Sequence, residues 1–158
     1  MKTLQKKQLD RRLKGLLDAR LHDPFDVLGP QRTADGWLVR VFRPRAERIE
    51  IELDGHWLEL ELKHPSGVFE WHGNVEPPAA YRLAIHEQGS AYQTYDPYAF
   101  APILSDLDLH LFNEGRLHQA YRMLGPHSLV RNGVRGTQFT VWAPNAERVS
   151  VIGDFNQW

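Results

Sequence analysis

The chain has 158 residues, 42% hydrophobic and 25% charged, which suits a soluble globular protein with room for one ordinary domain, or a small domain and part of another. A net charge of −1 gives no electrostatic case for nucleic acid or an anionic membrane surface as partner. Cysteine is absent, which excludes disulfide staples and thiolate metal sites and fits a reducing cytoplasm.

Met1 to Leu21 is too polar for a secretory signal, because Arg11, Arg12 and Lys14 interrupt its leucines. No stretch of the chain approaches the roughly 18 apolar residues of a membrane helix. Leu9, Leu13, Leu16, Leu17 and Leu21 recur at helical spacing and predict a helix over residues 1–22. His22-Asp23-Pro24 is expected to end it, since the residue before a proline is pushed out of the α region. The basic residues of this helix are broken by Asp10 and Asp18 and read as a solvated face.

From Gly36 the period changes to two. Val39 and Val41 alternate with Arg40 and Phe42; Ile49, Ile51 and Leu53 with Glu50 and Glu52; Leu58, Leu60 and Leu62 with Glu59 and Glu61. Phe69 and Trp71, then Tyr81, Leu83 and Ile85, continue the habit, with Asp54-Gly55, Pro65-Ser66-Gly67 and Gly73-Asn74 as turns between runs. Short alternating strands at this spacing predict an all-β, antiparallel, immunoglobulin-like sandwich over residues 23–104, with one face of each sheet buried and the other wet. Residues 105–133 read as a connector with helical character from Leu117 to Leu124. Residues 134–158 read as the opening strands of a second sandwich.

An internal repeat supports two tandem modules. Gly36, Val41, Pro44, Ala46, Glu47, Arg48 and Asp54 recur as Gly136, Val141, Pro144, Ala146, Glu147, Arg148 and Asp154. Leu28-Gly29-Pro30 recurs as Leu124-Gly125-Pro126, slightly out of phase. The second module has only two strand runs, Gln138–Trp142 and Arg148–Gly153, joined by a turn at Pro144-Asn145-Ala146. The chain is therefore expected to be a fragment, its last hairpin weakly held and its apolar residues partly exposed.

Catalytic patterns are missing. Glycoside chemistry needs two carboxylates across one scissile bond, yet Glu50, Glu52, Glu59 and Glu61 fall on outward strand positions. The eight histidines show no metal-ligand spacing, and no nucleophile-elbow or phosphate-loop motif occurs. Asp106-Leu107-Asp108-Leu109-His110 reads as a docking strand with exposed acids. Of the tryptophans, Trp142 and Trp71 read as packing residues. Trp158 follows Gly153-Asp154-Phe155-Asn156-Gln157, a strand running into a turn, where an exposed indole suits either stacking on a pyranose or structural packing.

At these residues the chain resembles known proteins. The stretch from Phe139 to Trp158 is similar to the opening of carbohydrate-binding module family 48. Further upstream, His22-Asp23-Pro24-Phe25 with Leu28-Gly29, Asp96-Pro97-Tyr98 with Phe100, and Asp106 to Arg116 with Tyr121 and Leu124-Gly125 resemble the bacterial 1,4-α-glucan branching enzyme family in its long form. Pro126 is a mild departure, standing where that family usually has alanine.

The resemblance implies a cytoplasmic enzyme of glycogen biosynthesis that moves an α-1,4-glucan segment to a 6-hydroxyl, with catalytic carboxylates on a barrel beyond Trp158. It implies for this region no catalytic residue, no metal and no cofactor. The implied partners are α-glucan chains and the catalytic domain of the same polypeptide, with Trp158 and Asn156 as the sugar-binding candidates. Two other roles fit the same residues: a purely structural module that braces the barrel, and part of a glycogen-targeting subunit.

Overall fold

The computed structural model describes residues 11–147 and 149–154. It divides into two compact units, one ending at Ala101 and the other beginning at Pro102.

Helical residues 11–17 lead into the first unit, with Leu13, Leu16 and Leu17 half-buried. The helix stops sooner than the proline at position 24 predicts. Ala19 takes a positive φ of 53°, its N–H donates to the Leu16 carbonyl at 3.1 Å, and the Arg20 N–H donates to that of Gly15 at 2.7 Å. These are the two bonds of a Schellman ending. Pro24 instead starts a separate 3₁₀ turn, Pro24–Asp26, capped by the Asp23 carboxylate, which accepts from the Phe25 N–H at 2.9 Å.

Eight strands follow: β1 (Gly29–Thr33), β2 (Gly36–Phe42), β3 (Ala46–Leu53), β4 (His56–Glu59), β5 (Glu61–His64), β6 (Val68–Gly73), β7 (Arg82–Glu87) and β8 (Ser90–Tyr95). They form two antiparallel sheets, ordered β1-β2-β6-β5 and β4-β3-β7-β8, so the unit is an all-β sandwich. Val39, Val41, Ile49, Ile51, Leu83 and Ile85, the residues whose spacing assigns them inward, are all buried, and Leu53, Leu60, Phe69 and Tyr81 complete the core.

Two features depart from simple alternation. The run from Leu58 to Leu62 is not one strand. β4 pairs with β3 in one sheet and β5 with β6 in the other, and the chain crosses between sheets at Leu60, whose N–H donates to the Ile49 carbonyl at 2.8 Å. Only Leu60 of the three leucines is buried, because a strand that switches sheets turns one residue into the corner. The second departure is Arg40. Its position in the alternation predicts an outward, wet side chain, yet it is 1% exposed. β2 lies between β1 and β6, and the segment that precedes β1 places the Val27 carbonyl 3.1 Å from Arg40 Nη1.

Across the core, the Tyr81 hydroxyl donates to Asp96 Oδ2 at 2.5 Å, and Asp96 also accepts from the Tyr98 N–H at 3.0 Å, capping the 3₁₀ turn Pro97–Ala99. Burial pushes the Asp96 carboxyl up, against the pull of those two hydrogen bonds. Burial, and next the Asp96 carboxylate, push the Tyr81 phenol far above its ordinary range. A raised folded-state pKa stabilises fully below the unfolded value and is lost as pH rises towards the folded one. Above about pH 10 the unfolded Tyr81 ionises while the folded one keeps its proton, so stability falls by up to about 1.4 kcal/mol per pH unit for this group. Urea titrations between neutral and alkaline pH should show that slope reduced in Tyr81→Phe, which also loses about 1–3 kcal/mol at neutral pH by leaving Asp96 a partner short. An unchanged alkaline slope in the variant would remove Tyr81 as its source.

The second unit contains helix α1 (Asp106–Asn113), a 3₁₀ turn Ala120–Arg122, and strands β9 (Gly125–Arg131) and β10 (Val134–Thr140). The acid–leucine alternation at Asp106–His110 is thus helical. Ser105 and Asp108 form a capping box, each bonding the other's backbone N–H at 3.1 Å, and this start signal overrides a period-two pattern only five residues long. The Ser105 bonds also hold the Asp108 carboxyl below its ordinary range. From Leu117 to Leu124 the helical character amounts to that single 3₁₀ turn.

The hairpin of this unit is β9–β10, not a pairing of 138–142 with 148–153. Gly125–Arg131 falls inside the segment read as a connector, yet it pairs fully with Val134–Thr140 through a two-residue turn at Asn132-Gly133, with φ of 50° and 77°. That dipeptide is the strongest short hairpin signal there is. A turn does form at Pro144-Asn145, with the Ala146 N–H donating to the Ala143 carbonyl at 3.1 Å, but residues 149–154 carry no strand among those described. Val141, Val149 and Ile152 are exposed.

Register accounts for the phase slip in the repeat. Gly29 pairs with Arg40 and Gly125 with Thr140, so the paired ends of the two hairpins correspond. The second hairpin is longer by two residue pairs, which displaces its first strand relative to its second.

Candidate functional site

A sugar-contact surface requires an aromatic face open to solvent with polar groups beside it. In the first unit the tryptophan faces are already used. Trp37 lies under the Arg32 guanidinium at 5.3 Å, and Trp71 packs against the core. Trp57, opposite Glu52 in the β3–β4 register, lies under Arg82 at 5.7 Å. Arg82 is itself clamped to both Glu52 oxygens at 2.5 and 2.7 Å and donates to Gln93 at 3.3 Å. That clamp lowers the Glu52 carboxyl and raises the Arg82 guanidinium from their ordinary values.

The rest of this outer sheet face is a charge ladder. His86 Nε2 lies 3.0 Å from Glu50, and Arg48 bridges Glu50 at 3.2 Å and Glu59 at 3.7 Å. The carboxylates pair with cations here and do not face one another across a cleft. The most strongly buried acid, Asp96, is committed to Tyr81 and Tyr98. Among the described residues no group of three or more His, Asp or Glu side chains is placed to hold a metal, and no helix is long and apolar enough to cross a membrane.

In the second unit Trp142 is 58% exposed, which corrects its assignment as a core residue. Among the described residues strand pairing ends at Thr140, short of Trp142, whose ring forms a T-shaped pair with Phe112 of α1 with centroids 5.0 Å apart. A cleft of about 450 Å³ in the same unit is lined by Leu117, Arg122, Met123, His127, Leu129 and Gln138 among others. Trp158 and Asn156, the sugar-contact candidates, lie outside the described residues. Sequence reasoning missed the Arg82 clamp over Trp57, whose signal is the cross-strand register that aligns Glu52, Trp57 and Arg82 and is invisible before the strands are paired.

Comparison with known proteins divides the chain in two. Residues 9–98 match the family model of the alpha-1,4-glucan branching enzyme GlgB N-terminal domain, and residues 123–158 match carbohydrate-binding module 48, the isoamylase N-terminal domain. Among curated proteins, 1,4-alpha-glucan branching enzyme GlgB of Nitrosospira multiformis is 51% identical over 163 residues, covering 99% of this chain and 22% of the relative. GlgB of Methylobacillus flagellatus is 46% identical, covering 98% and 21%, and that of Thermosynechococcus vestitus is 43% identical, covering 99% and 21%. The chain therefore spans about a fifth of the length of these relatives, and it belongs to the family of the GlgB N-terminal domain.

Proposed function

We propose that this chain is the non-catalytic front region of a cytoplasmic 1,4-α-glucan branching enzyme, in which the first sandwich is structural and glucan contact falls to the second module. The supporting observation is the state of the tryptophans. Those of the first unit are capped by arginine or packed on the core, and its outer sheet face is closed by ion pairs, whereas the segment matched by carbohydrate-binding module 48 includes Asn156 and Trp158.

In this reading Trp158 stacks on an α-glucan ring and Asn156 bonds its hydroxyls. The polypeptide that carries this region cuts an α-1,4-glucan and transfers the segment to a 6-hydroxyl, with its catalytic carboxylates outside these residues. The first sandwich braces the catalytic domain, a role suited to a face whose charges are already paired.

Affinity electrophoresis in glycogen-containing gels tests the division. Trp158→Ala should weaken retention about five- to tenfold, the equivalent of roughly 1–1.4 kcal/mol for one stacking contact. Trp57→Ala should leave retention unchanged. Loss of retention in Trp57→Ala, with Trp158→Ala unaffected, would move the glucan surface to the first unit.

A further inference from the structure

The repeat has an occupied copy and an open one. In the first unit the turn Pro24–Asp26 leads through Leu28 into Gly29 at φ 79°, and Gly29 opens β1. Against it sits the turn Asp96-Pro97-Tyr98-Ala99. The Tyr98 ring meets Phe25 edge-on with centroids 5.1 Å apart. The Tyr98 carbonyl lies so close to Gly29 that a Cβ added there would be 2.5 Å from its oxygen. Only glycine admits that approach at that φ.

The second unit rebuilds the receiving half. The turn Ala120–Arg122 leads through Leu124 into Gly125 at φ 91°, and Gly125 opens β9. The backbone bonds are the same: Leu28 and Leu124 each donate to the first carbonyl of their turn, Pro24 or Ala120, at 2.8 Å. Tyr121 stands where Phe25 stands, but it is 67% exposed, and a Cβ on Gly125 would meet nothing within 4 Å among the described residues. The glycine, the aromatic and the turn are therefore all present, without, among the described residues, the neighbour that explains them in the first copy.

We propose that Tyr121, Leu124 and Gly125 form a docking surface for a second Asp-Pro-aromatic-Ala turn. Its aromatic ring would pack on Tyr121 and its backbone carbonyl against Gly125. The source we assign is a segment of the longer polypeptide in which such a region occurs, since the relatives are several times the length of this chain. The chain's own Asp96 turn is already engaged on Gly29 and is not free to serve. This inference does not depend on which module touches glucan.

A tethered turn tests it. The full chain is extended at its C-terminus by a flexible Gly/Ser linker of about 20 residues ending in Tyr-Asp-Pro-Tyr-Ala-Phe, which holds the turn near millimolar effective concentration. Amide exchange at Met123 to Gly125 should slow about tenfold relative to a chain carrying the same tail scrambled. Tyr121→Ala, an exposed position that strains no backbone, should abolish the slowing. Equal exchange with ordered and scrambled tails, or slowing that survives Tyr121→Ala, would overturn the proposal. So would slowing that rises with protein concentration, which would mean exchange of turns between copies.

Discussion

Replacing Arg40 by leucine should destabilise the first sandwich by about 3–5 kcal/mol, although it deletes a charge from a position that simple alternation assigns to the surface. Arg40 is one of the most buried large side chains in the molecule. Its Nε and Nη2 atoms lie 2.7 and 2.6 Å from Glu70 Oε1, and Nη1 donates to the Val27 carbonyl. The pair thus ties the segment before β1 across β2 to β6. Removing the guanidinium alone leaves the Glu70 carboxylate, 5% exposed, without its main partner, and an unpaired buried charge costs far more than the pair itself contributes. Leucine at both positions removes that penalty, so the double variant should recover most of the loss. Half-exposed His72, 3.1 Å from Glu70, finds water in its place. Urea unfolding followed by circular dichroism measures both, with the midpoint shifting and the slope unchanged. A single-variant cost below about 1 kcal/mol, or costs that simply add in the double variant, would mean the pair is not buried as described.

Arg40 also marks where sequence reasoning stops. Alternation tells which residues share a face but not what lies over that face. For Val39, Val41, Ile49 and Ile51 the covering layer is the other sheet, and a period of two is enough. For Arg40 it is a segment 13 positions earlier, and the only hint is the apolar pair Val27-Leu28 directly after a turn. Leu60 shows a second limit, since a run of alternating leucine and glutamate looks identical whether it stays in one sheet or crosses to the other. The β9–β10 hairpin was legible in principle. Asn132-Gly133 is a stronger turn signal than Pro144-Asn145, but a module start at residue 134, drawn from the repeat, leaves Gly125–Arg131 in the connector. At the candidate site, family resemblance names Trp158 and Asn156 from sequence, whereas the arginines over Trp37 and Trp57, which reserve those faces, emerge only once the strands are paired.

The largest effect expected of any single substitution is at Ile51, and its neighbour supplies the control. Ile51 is fully buried in the middle of β3, opposite Leu58 on one side and Leu83 on the other. An aspartate there forfeits about 2–5 kcal/mol of packing and adds a carboxylate with no partner in an apolar layer. Together these exceed much of the roughly 5–15 kcal/mol that holds a domain of this kind folded, so Ile51→Asp should yield a chain whose first unit is unfolded. Amide spectra would show its resonances collapsed into the random-coil range. Glu52 lies one position on, facing the other way. Glu52→Lys breaks the clamp with Arg82 and sets two cations side by side, but water reaches both groups and screens them, so the fold should persist. One residue and one face separate the two outcomes. If Glu52→Lys also unfolded the unit, the outer ladder of β3, β4 and β7 would be a second core rather than a solvated face, and the bracing role assigned to that face would need a partner that buries it.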